Sequence, residues 1–145
     1  NAMKKARKVG GHFGMPALAD DSGLEVAALN GRPGIHSSRY GQNDGERINR
    51  LLGELDGIPW DGREAKFKAY VALYLPEKDR CYVFYGELSG FIGFEKHGSN
   101  GFGYDPVFYS PELGTYLAEI STEEKNRLSH RGRAIALLRK FVETI

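Results

Sequence analysis

Ala65-Lys66-Phe67-Lys68-Ala69-Tyr70-Val71-Ala72-Leu73-Tyr74-Leu75, then Pro76-Glu77-Lys78-Asp79, then the run from Arg80 to Ile92, decides the fold class of this 145-residue chain. The first run alternates, with Phe67, Ala69, Val71 and Leu73 on one face, and a period of two belongs to a β-strand. The second is rich in aromatic and β-branched residues, which suit a pleated, half-buried surface. The link between them is short and polar, so the two runs predict an antiparallel hairpin.

Upstream of the hairpin, Asp44 is placed to cap a helix that turns Ile48, Leu51, Leu52 and Leu55 inward and stops at Gly57 and Pro59. Further back, Leu24 to Leu29 reads as a short extended piece ending in the turn-rich loop Asn30-Gly31-Arg32-Pro33-Gly34. Met15 to Ala19 reads as a short buried strand that stops on Asp20-Asp21-Ser22-Gly23. Ala2, Ala6 and Val9 share a helical face amid Lys4, Lys5, Arg7 and Lys8, predicting a first helix that ends in Gly10-Gly11. Downstream come a glycine-rich loop, Lys96 to Tyr104, and a strand at Pro106 to Tyr109. Ser121-Thr122-Glu123-Glu124 has the form of a capping box and opens a helix through Leu128. A last helix, from about Gly132 to Val142, is expected to turn Ile135, Leu138 and Val142 inward. Helix, strand, helix, hairpin, strand, helices is the order of an α/β domain with a mixed sheet flanked by helices.

The whole composition agrees with one globular domain. Hydrophobic residues make up 41% and charged residues 27%, enough of each for a packed core and a hydrated surface. The net charge of +1 supplies no global field for nucleic acid or membranes, so any anionic ligand must be held by local cations. The single cysteine, Cys81, allows no internal disulfide and is compatible with the cytoplasm. No apolar run is long enough to span a bilayer.

Three segments carry residue types suited to chemistry. Asp20 and Asp21 put two carboxylates at the predicted end of a strand, where open α/β sheets bind ligands. Mg²⁺ takes one or two carboxylates together with phosphate oxygens, so the pair suits it; Asp-Ser-Gly also forms ordinary solvated turns. Ser99-Asn100-Gly101-Phe102-Gly103-Tyr104-Asp105-Pro106 combines glycines that admit close backbone approach with rings that can stack on a base. Its rings could equally pack in the core. Lys125-Asn126-Arg127-Leu128-Ser129-His130-Arg131 gathers cations at a break between two helices, beside a helix N-terminus, an arrangement that suits an anion or a polar base edge. Lys5, on the first helix, is a fourth cation of interest.

Taken together, the segments resemble the inosine-triphosphate pyrophosphatase family, the non-standard purine NTP pyrophosphatases or XTP/dITP diphosphatases. The matching strings are Asn1-Ala2-Met3-Lys4-Lys5-Ala6-Arg7, Pro16 through Asp20-Asp21-Ser22-Gly23 to Val26, Gly31-Arg32-Pro33-Gly34-Ile35 with Ser38-Arg39-Tyr40, Gly101 to Pro106, and Ala118-Glu119 through Lys125 to Ser129-His130-Arg131. They occur in the family's order from end to end.

The resemblance implies Mg²⁺-dependent hydrolysis of ITP, dITP and XTP to the monophosphate and pyrophosphate. It also implies an elongated, two-lobed α/β fold with a substrate cleft, and a homodimer. Carried over position by position, Asp21 is the catalytic acid and metal ligand, with Asp20 beside it, and Ser22 is a substrate contact. Lys5 is a phosphate-binding lysine. Phe102, Gly103, Tyr104 and Asp105 form the base-pocket segment, and Lys125, His130 and Arg131 are its polar contacts. The family's opening strand, its Thr-Gly-Asn-x-x-Lys phosphate loop and a further acidic segment are not in the chain. Asn1-Ala2-Met3 reads as native interior sequence or as a cloning scar. The readings that compete with an intact enzyme are a nucleotide-binding module with impaired catalysis and a Maf-type pyrophosphatase with other substrates.

Overall fold

A computed structural model describes residues 2–145. The strands β1 (Ala17–Val26), β2 (Pro33–Gly34), β3 (Glu64–Leu75), β4 (Arg80–Ile92), β5 (Phe108–Ser110) and β6 (Thr115–Tyr116) form one sheet in the order β2-β1-β3-β4-β5-β6. The pairs β1–β2, β4–β5 and β5–β6 are antiparallel, with Leu24 opposite Gly34, Ile92 opposite Phe108 and Tyr109 opposite Tyr116. The helices are α1 (Ala2–Phe13), α2 (Asp44–Glu54), α3 (Thr122–Leu128) and α4 (His130–Val142). The expected α/β class and the β3–β4 hairpin are both present. The chain divides into two compact units. One comprises Asn1–Ser22, Lys68–Glu87 and Ser129–Ile145; the other comprises Gly23–Phe67 and Leu88–Leu128.

In the first unit two helices use alternate residues of the same strands. Ala2 and Ala6 of α1 bury against Ala72 and Tyr74, with Ala19 and Cys81 beside them. Ala134 and Leu138 of α4 pack with Ala69 and Val71. Because successive strand side chains point to opposite faces, α1 and α4 cover opposite faces of this part of the sheet. Phe141 adds contacts to Tyr82 and Phe84, with ring centroids 4.6 Å and 5.6 Å away.

Helix α1 runs past the glycines that were expected to end it. Gly10 is buried, and a Cβ there would strike the Tyr74 ring, so the missing side chain is what lets the helix lie close to the strand. The stop is Gly14, at φ 63°, after which the Met15 N–H donates to the Gly10 carbonyl at 3.2 Å and closes the helix end. The inward faces also differ from expectation at three positions. Val9, Ile135 and Val142 are 51%, 38% and 46% exposed, and the buried stripes are Ala2-Ala6-Gly10 on α1 and Ala134, with Leu138 partly covered, on α4. Small residues win these faces because the helices sit close to the sheet.

The second unit holds the larger core. Leu24, Val26, Leu29, Ile48, Leu51, Leu55, Phe67, Leu88, Ile92 and Phe108 pack into one cluster. Helix α2 contributes the apolar face expected of it, but its cap is Asn43 rather than Asp44: the Asn43 side chain accepts from the Glu46 N–H at 2.9 Å. At the edge of the core Arg63, 2% exposed, donates to four carbonyls, those of Leu55, Ile58, Ile92 and Gly93, at 2.8–2.9 Å. A buried guanidinium is tolerated here because nearly every N–H has an acceptor.

Candidate functional site

The residues of interest fall into one cluster in each unit. In the first unit the acid pair does not end a strand. It lies inside β1, which runs unbroken from Ala17 to Val26, so pairing within the sheet overrides the turn chemistry of Asp20-Asp21-Ser22-Gly23. Consecutive strand residues face opposite ways, and the two carboxylates accordingly have different neighbours. The Asp20 carboxylate meets Arg131, with Nε 2.9 Å from Oδ2. The Asp21 carboxylate lies 3.9 Å from the Lys5 ammonium, which donates instead to the Asp20 backbone carbonyl at 3.1 Å. Asp21 is about half exposed, at 43% of its side chain, and Ser22 beside it is exposed.

His130 and Arg131 open α4, whose cap is Ser129: its hydroxyl accepts from the Gly132 N–H at 3.1 Å. Gly86 on β4 sets how close this end comes to the sheet. A Cβ at Gly86 would lie 2.6 Å from the Ala134 nitrogen and nearer still to the His130 carbonyl. Lys5, Asp20, Asp21, Ser22, His130 and Arg131 thus belong to one unit, positioned by α1, β1 and α4.

The second cluster is built on the loop 98–105. Gly101 and Gly103 take φ of 75° and 63°, a left-handed conformation that glycine adopts without steric cost. Between them Phe102 is 62% exposed. Its N–H donates to the Asp105 carboxylate at 3.0 Å, and its carbonyl accepts from the Asp105 N–H at 3.3 Å. Asp105 is 3% exposed and forms an ion pair with Lys125 of α3. The Lys125 ammonium in turn sits 4.1 Å from the Phe102 ring centroid, within cation–π range. Tyr104 turns the other way, into the core. Its hydroxyl donates to the Ser37 carbonyl at 2.6 Å, and burial pushes its ionisation up to about 12.

The sequence run from Lys125 to Arg131 is therefore divided. Lys125 joins Phe102, Gly103, Tyr104 and Asp105 in the second unit, while His130 and Arg131 join the acids in the first. Two contributors were not expected from the sequence. Asp44 accepts from the Gly103 N–H at 2.9 Å across 59 positions, and Ser37 receives the Tyr104 hydroxyl across 67. Neither contact has a local signature. The only hint was the pairing of Asn43 with Asp44, which leaves one of two good capping residues spare.

Among the described residues no three His, Cys, Asp or Glu side chains group as a metal cage, and no helix is long and apolar enough to cross a membrane.

Comparison with known proteins places these clusters in context. Residues 1–141 match the Ham1 family. The dITP/XTP pyrophosphatase of Geobacter sulfurreducens is 49% identical over 142 residues, which cover 96% of the chain and 71% of that protein. That of Haemophilus influenzae is 47% identical over 143 residues, covering 96% and 73%. Among solved structures, a Ham1 protein from Coxiella burnetii superimposes with a TM-score of 0.92 at 43% identity, covering 99% of the chain and 75% of its own. The Ham1 protein of Staphylococcus aureus gives 0.92 at 42%, covering 99% and 74%. At this identity and coverage, with the acid strand, the glycine-aromatic loop and the two cation-bearing helices in place, the chain belongs to the Ham1 family.

Proposed function

We propose that this chain is a nucleoside-triphosphate pyrophosphatase that hydrolyses deaminated purine nucleotides (ITP, dITP and XTP) to the monophosphate and pyrophosphate, removing them from the nucleotide pool. The observation that carries the reading is the exposed Phe102 ring with the Lys125 ammonium 4.1 Å from its centroid, in a chain whose relatives bear that activity in their names.

Base recognition falls to the segment around Phe102. Phe102 offers a flat face for a purine. Lys125 has three N–H donors, of which Asp105 engages one. A 6-keto oxygen accepts from such a donor, whereas the 6-amino group of adenine is itself a donor and leaves it unpaired. An unpaired buried donor costs roughly 1–3 kcal/mol, enough to select between the bases. The family resemblance also assigns His130 and Arg131 to the base's polar contacts. The ion pair with Asp20 gives Arg131 a further task, orienting that carboxylate.

Phosphate chemistry falls to the acid pair and its neighbours. Water attacks the α-phosphorus as the bond to the bridging oxygen breaks and pyrophosphate leaves. Asp21 orients that water and takes its proton, Lys5 and Ser22 contact the phosphates, and Arg131 holds Asp20. The donor set suits Mg²⁺: a half-exposed carboxylate at Asp21, 3.9 Å from Lys5 and so not closed off by it, provides the hard oxygen ligand that the ion combines with water and phosphate oxygens. When bound there, Mg²⁺ would neutralise charge developing on the phosphate oxygens. The same resemblance supports a cytoplasmic homodimer.

The test is pyrophosphate release from ITP, XTP, GTP and ATP in the presence of Mg²⁺. A higher kcat/KM for ITP and XTP than for ATP is expected. Equal rates on all four, or no pyrophosphate from any, would overturn the proposal.

A further inference from the structure

We infer that Asp44, at the start of α2, is a positioning residue for base selection. It acts by holding the Phe102–Gly103 peptide in one orientation. The inference rests on the pyrophosphatase reading for its substrate, but on its own geometry for the contact.

Four observations carry it. The Asp44 Oδ2 accepts from the Gly103 N–H at 2.9 Å, and Oδ1 is paired with Arg47 Nη1 at 2.8 Å, so the carboxylate is aimed from both sides. Arg47 is itself anchored, its Nε donating to the Ser38 carbonyl at 2.9 Å. Asp44 is not needed to cap α2, because Asn43 does that. Finally, a Cβ at Gly103 would meet nothing within 4 Å, so on that side open space and not a packed neighbour faces the residue.

A glycine at positive φ with open space around it is a pivot, and its peptide has several accessible orientations. Peptide planarity couples the two ends of that unit: fixing the Gly103 N–H also fixes the direction of the Phe102 carbonyl, which accepts from the Asp105 N–H at 3.3 Å. With the Phe102 N–H held by the Asp105 carboxylate, the backbone on both sides of the aromatic residue is then determined. The ring is mounted before a ligand arrives. Ordering the loop in advance lowers the entropy lost on binding, which favours affinity for the base that fits and penalises one that would need the loop to move.

Removal of the tether should raise KM with little change in kcat, because the contact lies among the base-recognition residues rather than the phosphate chemistry. Asp44→Ala should raise KM for ITP by about three- to tenfold and narrow the ITP-over-ATP ratio of kcat/KM by a similar factor. Asp44→Asn keeps an oxygen that can accept the Gly103 N–H and should recover most of both. A role confined to capping or stabilising α2 would lower the unfolding midpoint in both variants without moving the base ratio.

Amide hydrogen exchange at Gly103 gives a readout independent of turnover. It should quicken in Asp44→Ala and stay slow in Asp44→Asn. If the wild-type chain fails to release pyrophosphate from ITP, the pyrophosphatase reading fails and the exchange measurement still decides the tether. Unchanged Gly103 exchange in Asp44→Ala overturns the tether, and an unchanged KM and base ratio overturns its role in selection.

Discussion

Asp20 and Asp21 show how much a single residue step decides on a strand. One carboxylate meets Arg131 of α4; the next lies 3.9 Å from Lys5 of α1. Asp20 is committed to a close ion pair, whereas Asp21 keeps lone pairs for a water or a cation, which agrees with the catalytic role that the proposal gives it. Asp21→Asn should therefore lower kcat for ITP by about 10²-fold or more, the scale of a positioned acid or base. Stability should hardly change, since exposed ion pairs contribute roughly 0–1 kcal/mol. Steady-state kinetics beside a denaturation curve separates the two effects. Near-normal turnover would remove Asp21 from the mechanism, and loss of the fold would make it a structural residue. The carboxylates themselves were legible in the sequence, but their opposed directions were not. Asp-Asp-Ser-Gly has the composition of a turn, and only its place inside β1 shows that period two applies through it.

At the scale of elements, what could be read depended on whether the cause was local. The β3–β4 hairpin was legible because alternation and a polar link lie within one stretch of chain. The Ser121 cap of α3 was legible too, its hydroxyl accepting from the Glu124 N–H at 3.2 Å. The second capping site was misread because Asn43 and Asp44 are both good caps. In the fold Asn43 caps the helix, while Asp44 accepts from the Gly103 N–H, 59 residues away. Gly86 is the same kind of case. In sequence it is a glycine within a strand; in the fold it is the seat of α4. An alanine there would overlap the His130 carbonyl and the Ala134 nitrogen, and backbone atoms cannot turn aside as a flexible side chain can. Gly86→Ala should thus destabilise the chain by about 1–3 kcal/mol, the usual range for overpacking. It should also lower activity by shifting His130 and Arg131 and so loosening the hold on Asp20. Urea denaturation with kinetics on the folded fraction tests both parts. An unchanged midpoint would show that α4 is not seated as tightly as its contacts imply.

Over the whole molecule the charge is nearly balanced, at +1, so a polyanionic nucleotide is drawn in by local cations and not by a long-range field. The same balance bears on the metal. In the first unit each carboxylate of the acid pair already has a cationic neighbour, and the cores of both units are apolar without any ion. On the proposed reading a divalent cation serves the reaction, and nothing in these cores calls on it for the fold. A cation held by a single half-exposed carboxylate binds weakly without nucleotide, and ligand linkage then adds little: at a concentration equal to its dissociation constant, about 0.4 kcal/mol. Chelation of divalent ions should accordingly abolish pyrophosphate release from ITP, and added Mg²⁺ should restore it. The unfolding midpoint in the absence of nucleotide should stay within about 1–2 °C throughout. The informative comparison is one preparation measured for turnover and for melting, with chelator and after Mg²⁺ is returned. Turnover that persists in chelator would exclude a metal from the mechanism. A midpoint that falls by many degrees would mean that a cation holds the fold together, and the ion pairs of Asp20 and Asp21 would then need a different reading.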